Sequence, residues 1–600
     1  MVRLAPLLMT PAFAGSGWAT DTSVDQKIQQ IENGLTPPVL VAGESPTPVK
    51  LADRMAALKV PGVSIAVIHA GEIEWARGFG VTRIGGPPVT PRTLFQAASI
   101  SKPVTALAVL HLVQAGTLNL DSDVNLYLKG WKIPASGFSA QHPVTLRELL
   151  THTAGMTVHG FPGYASDEKL PTLVQVLDGQ PPANSPPIRV DTVPGTIWRY
   201  SGGGYVVAQR ILEDVSGQPF SVLMQRTVLS PIGMSDSTYE QPLPRARANE
   251  VALPYRDDGT PVKGGPHVYP EQAPAGLWTT PTDLARYAIE VQRSLTGKSN
   301  RVLSAAMVRE MLTPGMNQQG LGPGIGGSAS QPLFQHSGAN EGYRCDLVAY
   351  DGGDGVVIMT NSDSGGQLMD DLRRTIAHIY GWPDFQPPVR HLASIEPSRL
   401  DLLTGSYQLA PQFVLTITRQ GSQLLSQATG QGQIALFPQS EREFFTRDFD
   451  SSTTFEVDSQ GHATSLVLHQ NGRDVPGQRL DAATAKQIAD ALASTNKRFH
   501  DQTAAPGSEA ALRRMLDGIT AGNPDYSKLS PGLAALTREQ LPALHKLLTG
   551  LGPMTALSFT EVGAGGADIY RVTYAQGTAE WRITLSADGT VEGALFHIGE

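Results

Sequence analysis

The sequence predicts an α+β fold in three successive domains, and three patterns carry that prediction. Strand-like segments stand at both ends of a long first region, with helical and loop-rich sequence between them. One antiparallel sheet flanked by helices, with a helical part inserted, satisfies that order. A run of short strands with Gly and Asp in the turns follows, the pattern of a small antiparallel barrel. Helical sequence and then further strands end the chain, which is the order of a second α+β unit.

Residues 1–20 come first. Met1-Val2-Arg3 precede an apolar run that closes on Ala12-Phe13-Ala14, the small-x-small pattern of a secretory signal, so the expected location is periplasmic or secreted. That run is too short to span a bilayer, and no other stretch is long enough, so no membrane span is expected. Residues 21–50 are polar and Pro-rich and read as a leader. The first domain is placed at 51–382. Its strands are expected at 63–68 and 72–76, around Ala70-Gly71, and again at 343–350 and 355–360 across a Gly/Asp turn. Residues 103–114 form an apolar helix with Pro103 in its first turn and Gly116 after its end. A further helix covers 366–380, and 383–388 is a Pro-rich linker. The barrel, lipocalin-like in outline, occupies 390–480, with strands at 413–418, 433–437, 442–449, 453–457 and 465–468. The last domain occupies 482–600, with helices to about 548 and strands from 556.

Several functions are disfavoured. The net charge is −9 and the Lys/Arg runs are short, so there is no nucleic-acid footprint. The single cysteine, Cys345, cannot form an intrachain disulfide and reads as a buried thiol. His-Glu-x-x-His and paired cysteines are missing, which disfavours a zinc hydrolase. Gly-x-Ser-x-Gly is missing too, which disfavours an α/β-hydrolase. Gly-x-Gly-x-x-Gly does occur at 322–327, but without the strand and helix of a dinucleotide cradle, so it reads as a flexible loop.

A serine hydroxyl needs an adjacent base and donors for the developing oxyanion. Ser99-Ile100-Ser101-Lys102 supplies both elements at one helix start. Positions i and i+3 share a helix face, and the N-terminal amides favour negative charge. Ser166…Lys169 and Ser494…Lys497 repeat the spacing, but in a polar loop and a polar helix.

Four stretches in order complete the pattern: Ser99-Ile100-Ser101-Lys102, Thr151-His152-Thr153-Ala154-Gly155, Tyr200-Ser201-Gly202-Gly203-Gly204-Tyr205 and His336-Ser337-Gly338. On these motifs, residues 50–380 resemble the penicillin-recognising serine hydrolases. The branch is that of class C β-lactamases, D-alanyl-D-alanine carboxypeptidases, D-aminopeptidases and related esterases. The resemblance implies a β-lactamase/transpeptidase-like fold for the first domain. It implies Ser99 as the nucleophile of an acyl-enzyme, with Lys102 and Tyr200 moving its proton. It implies an oxyanion hole from the backbone N–H groups of Ser99 and Ala339, a substrate wall of His336, Ser337, Gly338 and Gly202, and no metal or organic cofactor. His152 reads as a loop-fixing residue and Trp198 as core.

Two positions depart from the family pattern. Gly202 stands where the family usually has Asn, and His336 where β-lactamases mostly have Lys. Both argue against an efficient β-lactamase. The barrel after the first domain is similar to the appendages of D-aminopeptidase-like members. The first expectation is therefore hydrolysis of small peptides or peptide-like amides, in the manner of a D-aminopeptidase or carboxypeptidase. A carboxylesterase comes second, and a penicillin-binding or sensor module without turnover third. The expected partner is a small-molecule or short peptide substrate, with the C-terminal domains as candidate surfaces for a homo-oligomer.

Overall fold

The computed structural model describes residues 23–599 except Gln141, Gln412, Ala564 and Ala587, so the signal-like segment lies outside the described residues. The chain divides into two compact units, 1–389 and 390–600.

In chain order, the first unit uses α1 (Val24–Asn33), β1 (Gly62–His69), β2 (Glu72–Gly80), α2 (Ser101–Gln114), α3 (Gly202–Ser216), α4 (Gln272–Ala275) and α5 (Pro281–Leu295). It closes with β3 (Gly324–Ser328), β4 (Gln331–Asn340), β5 (Tyr343–Tyr350), β6 (Gly355–Thr360) and α6 (Gly365–Tyr380). The six strands form one antiparallel sheet in the order β2-β1-β6-β5-β4-β3. β1 and β6 meet with Val63 opposite Thr360 and Val67 opposite Val356, which ties the two ends of the region together. Both strands are rich in Val and Ile and buried on both faces, so helices must cover both sides. Ile65, Val67 and Ile358 point to α6, against Leu368, Leu372 and Ile376. Ala66, Ile68 and Val357 point the other way, into a core shared with α2 and α5.

Two expectations need correction. Within the supposed leader, residues 24–33 form α1, which carries a Ser23–Gln26 capping box and buries Ile28 and Ile31 beside α6. Its two isoleucines were too sparse an apolar stripe to stand out among polar neighbours. The glycine-rich run at 322–327 is not a loop: Gly324–Ser328 pairs with β4 as the sheet's edge strand, with Ile325 opposite Phe334. Glycine erases the two-residue alternation by which a strand is recognised.

The second unit opens with a closed barrel of eight strands, β7 (Gly405–Ala410), β8 (Phe413–Gln420), β9 (Gln423–Ala428), β10 (Gln433–Pro438), β11 (Glu443–Phe445), β12 (Ser451–Val457), β13 (Ala463–Gln470) and β14 (Arg473–Arg479). Tyr407, Ile417, Leu424, Phe444, Phe455 and Leu466 are buried together in its core, as small barrels require. The expected strand at 442–449 shortens to Glu443–Phe445. Helices α7 (Ala482–Asp501), α8 (Ser508–Thr520) and α9 (Pro531–Gly550) follow. Strands β15 (Met554–Val562), β16 (Asp568–Tyr574), β17 (Gly577–Leu585) and β18 (Val591–Gly599) form a four-stranded antiparallel sheet. Leu512, Leu516 and Ile519 of α8 pack with Tyr570 and Trp581 of that sheet. Among the described residues, no helix is long and apolar enough to cross a membrane.

Candidate active site

Ser99 sits in a single 3₁₀ turn, Ala98–Ile100, immediately before α2. Buried bonds fix that turn. Ala97 N–H donates to Leu277 O at 2.8 Å, the Cys345 thiol donates to Ala97 O at 2.9 Å, and Leu277 N–H donates to Ser101 Oγ at 3.0 Å. Cys345 is thus a structural thiol under the turn, its pKa pushed far up by burial. α2 is apolar on nearly every side and buried, so Lys102 on its first turn is only 2% exposed. Lys102 Nζ donates to Ser99 Oγ at 2.9 Å and to Pro274 O of α4 at 3.1 Å.

Tyr200 reaches the same place from the residue two before α3. Lys102 Nζ lies 4.8 Å from the centroid of its ring, a cation–π distance. No hydrogen bond joins the phenol to Ser99 or Lys102 among the described residues. His152 stands behind Tyr200, with ring centroids 4.3 Å apart. Its Nδ1 accepts the Ser201 N–H at 3.2 Å and its carbonyl accepts the Arg199 N–H at 2.8 Å, so it fixes the loop as expected. Burial, helped by the Lys102 charge, holds the His152 imidazole well below the ordinary histidine range and therefore neutral.

β4 forms the opposite wall. A Cβ built on Gly338 would lie 2.4 Å from Ala97 O, 2.6 Å from Cys345 Sγ and 3.0 Å from Ser99 N. Only glycine lets this strand pass so close to the serine. His336 and Ala339 flank the passage on the cleft side. The His336 imidazole is pushed down to about 4, first by burial and then by the Lys102 charge, and its Nδ1 bonds to Ser337 O at 2.6 Å.

The resulting cleft of about 590 Å³ brings together every site residue read from the sequence: Ser99, Lys102, Tyr200, Gly202, His336, Ser337, Gly338 and Ala339. It also contains residues the motifs did not reveal, notably Phe161, His159, Pro274 and Arg344. Trp198 lines the cleft as well and is not a core residue. The other two Ser-x-x-Lys pairs lie elsewhere. Ser166 Oγ donates to Gly264 O at 2.8 Å, and Ser494 is exposed on α7, where Lys497 pairs with Asp501.

Residues 50–380 match the family model described as Beta-lactamase, which is more than half of the chain. The chain belongs to that family of serine hydrolases. Residues 390–480 match a Domain of unknown function (DUF3471) and coincide with the barrel. Among individual relatives, the chain is 24% identical to penicillin-binding protein 4* of Bacillus subtilis over 68% of this chain and 93% of that protein. It is 30% identical to esterase EstB of Burkholderia gladioli over 44% of this chain and 74% of that protein. Among solved structures, the octameric penicillin-binding protein homologue from Pyrococcus abyssi covers 71% of this chain and 98% of its own, at 23% identity and a TM-score of 0.49.

Proposed function

We propose that this member of the family is a carboxylesterase working through an acyl-ester on Ser99. The observation that carries the reading is the 2.9 Å bond between Lys102 Nζ and Ser99 Oγ at the floor of an open cleft. Lys102 and Tyr200 share the removal of the Ser99 proton as the hydroxyl attacks a carbonyl. The N–H groups of Ser99 and Ala339, on the 3₁₀ turn and on β4, receive the oxyanion. The Tyr200 ring stabilises the Lys102 ammonium once formed, and its hydroxyl passes the proton to the leaving alkoxide. Water then repeats the sequence in reverse and frees the acid.

Three features favour esters over peptides, reversing the first expectation. Gly202 offers no amide to hold a substrate amide. Among the described residues lining the cleft there is no carboxylate, so the α-ammonium of an aminopeptidase substrate finds no counter-charge. Neutral His336 offers no charge to a carboxylate, and the Arg344 guanidinium is already paired with Asp363 at 3.0 Å. The likeness to esterase EstB supports the same choice. An alkoxide leaves more readily than an amine, so an ester tolerates the missing clamp.

The test is turnover of p-nitrophenyl acetate, D-alanyl p-nitroanilide and a chromogenic cephalosporin by the whole chain. Ester turnover that is lost in a folded Ser99→Ala variant is expected. Faster anilide or cephalosporin turnover overturns the ester assignment, and full activity in Ser99→Ala overturns the acyl-serine.

A further inference from the structure

The end of the cleft at the first turn of α3 is closed by an aromatic ring where the family motif would place an amide. A Cβ built on Gly202 would lie 3.0 Å from Phe161 Cε2 and 3.1 Å from His159 O. Both contacts are tighter than an ordinary side chain accepts, so position 202 cannot carry one unless Phe161 moves. The loop bearing Phe161 is tied to the helix start by three bonds. Gly202 N–H donates to His159 O at 2.9 Å, Gly203 N–H to Val158 O at 3.0 Å, and Ser201 Oγ to Thr157 O at 2.8 Å. A Cβ on Gly203 would meet Thr157 O at 2.6 Å, so the loop is seated on two successive glycines. Phe161 therefore occupies the vacated space because the backbone beneath it has been brought close. Phe161, Trp198 and Tyr200 line the cleft that holds Ser99, and the exposed His159 is the titratable side chain of the Phe161 loop there.

We propose that Phe161 is a specificity-determining residue that makes this end of the cleft an acyl-chain subsite. The subsite takes uncharged aliphatic or arylalkyl acyl groups and rejects acyl groups with an amide beside the reacting carbonyl. The proposal rests on the acyl-serine reading and deepens it. An apolar acyl chain gains by covering the ring, whereas an amide placed there loses water and finds no donor or acceptor on the ring. Each methylene buried against the wall is worth about a 3- to 4-fold gain in kcat/KM.

The experiment measures kcat/KM for the p-nitrophenyl esters of acetic, butyric, hexanoic and phenylacetic acids and of N-acetylglycine. It compares wild type, Phe161→Ala, Phe161→Leu and the double variant Phe161→Ala/Gly202→Asn in the full chain. In wild type, kcat/KM should rise about tenfold from acetate to butyrate and remain low for N-acetylglycine. Phe161→Ala should flatten that rise, and Phe161→Leu, which keeps an apolar wall, should restore most of it. The double variant should raise the N-acetylglycine to butyrate ratio. An unaltered acetate-to-hexanoate ratio in Phe161→Ala, or equal losses on all esters in both single variants, overturns the subsite. Intact-mass detection of the acyl group on Ser99 separates the two claims. A chain-length profile without Phe161 dependence, on an enzyme that does acylate at Ser99, defeats this proposal alone. Absence of any acyl adduct and of ester turnover defeats the underlying reading with it.

Discussion

Glu271, the residue before α4, offers a sharp test of how the cleft is held. It is fully buried, and neither carboxylate oxygen has a hydrogen-bond partner. Burial pushes its pKa from the ordinary 4.5 to about 7. In the unfolded chain the group ionises near 4.5, whereas in the folded protein it keeps its proton until about pH 7. The contribution of Glu271 to stability is therefore most favourable below pH 4.5, falls as pH rises between these values, and levels off above the folded pKa. At 1.36 kcal/mol per pH unit, the loss is about 3 kcal/mol. Glu271→Gln removes the titration and leaves the rest of the chain alone. Its amide carries a fixed desolvation cost at every pH, so the telling quantity is the change in the difference between variant and wild type. That difference should move by about 3 kcal/mol in favour of Gln from pH 4.5 to pH 8. The corresponding relative gain in melting temperature is about 4 °C for a unit of this size. Tryptophan fluorescence reads the right unit, because all seven tryptophans except Trp581 belong to residues 1–389. Melting curves of wild type and variant that keep a constant separation across this range would refute the argument that the carboxyl is buried without a partner.

Three further outcomes follow from the site. Gly338→Ala forces β4 away from the Ala97–Ser99 turn, so kcat should fall about 10²-fold, the cost of one displaced oxyanion donor, with far-UV circular dichroism unchanged; retention of wild-type kcat contradicts the close passage. His336, neutral above about 4, should give kcat/KM an acid limb near pH 4 that disappears in His336→Gln, and a His336-dependent limb at pH 6–7 contradicts its burial beside Lys102. Val158 holds a left-handed φ of +64°, which costs a β-branched residue about 1–3 kcal/mol, while glycine costs roughly 1 kcal/mol in chain entropy. Val158 also packs half-buried against the core, so Val158→Gly should change the melting temperature little, the relieved strain offsetting the entropy and the lost packing, yet lower kcat/KM on hexanoate more than on acetate; a marked loss of stability contradicts the strain.

The first unit was legible because its signals are local. β6 is a run of buried Val, Ile and Met, β5 is buried along nearly its whole length, and their observed bounds coincide with the expected ones. Ser99, Lys102, Tyr200 and the stretch from His336 to Ala339 each sit in a short motif, so their types and order were readable although they are far apart in sequence. Phe161 carried no such mark. It lies in a loop, and its importance arises from a missing side chain 41 positions later, a relation that only packing expresses. In the barrel, β14 (Arg-Asp-Val-Pro-Gly-Gln-Arg) contains Pro and Gly and little apolar sequence, yet it pairs with β13 along its length and closes the barrel against β7 through Tyr407–Arg479 and Gln408–Gln478. Tertiary pairing overrode weak local preference there. Trp198 illustrates the opposite error, since a large aromatic just before the Tyr200 motif reads as core until a cleft opens beside it.

Three left-handed non-glycine residues lie beside the reacting atoms, and their placement explains how the site keeps its shape. Ala98, His152 and Val158 all have positive φ, at +48°, +61° and +64°. Each costs conformational free energy, and each lies next to a group that must be aimed: Ser99, Tyr200 and Phe161. The bonds that offset the strain run to other segments. Ala97 is held by Leu277 and Cys345, His152 by Arg199 and Ser201, and Val158 by Ser201 and Gly203. Two of the three therefore depend on the same short stretch, 199–203, which leads into α3 and includes Gly202. The identity of residue 202 is thus coupled to the conformation of the loop above it. An asparagine there would have to displace Phe161 and strain the bonds that hold Val158 left-handed. The glycine and the aromatic ring form one structural choice, so seating a side chain at position 202 requires altering both.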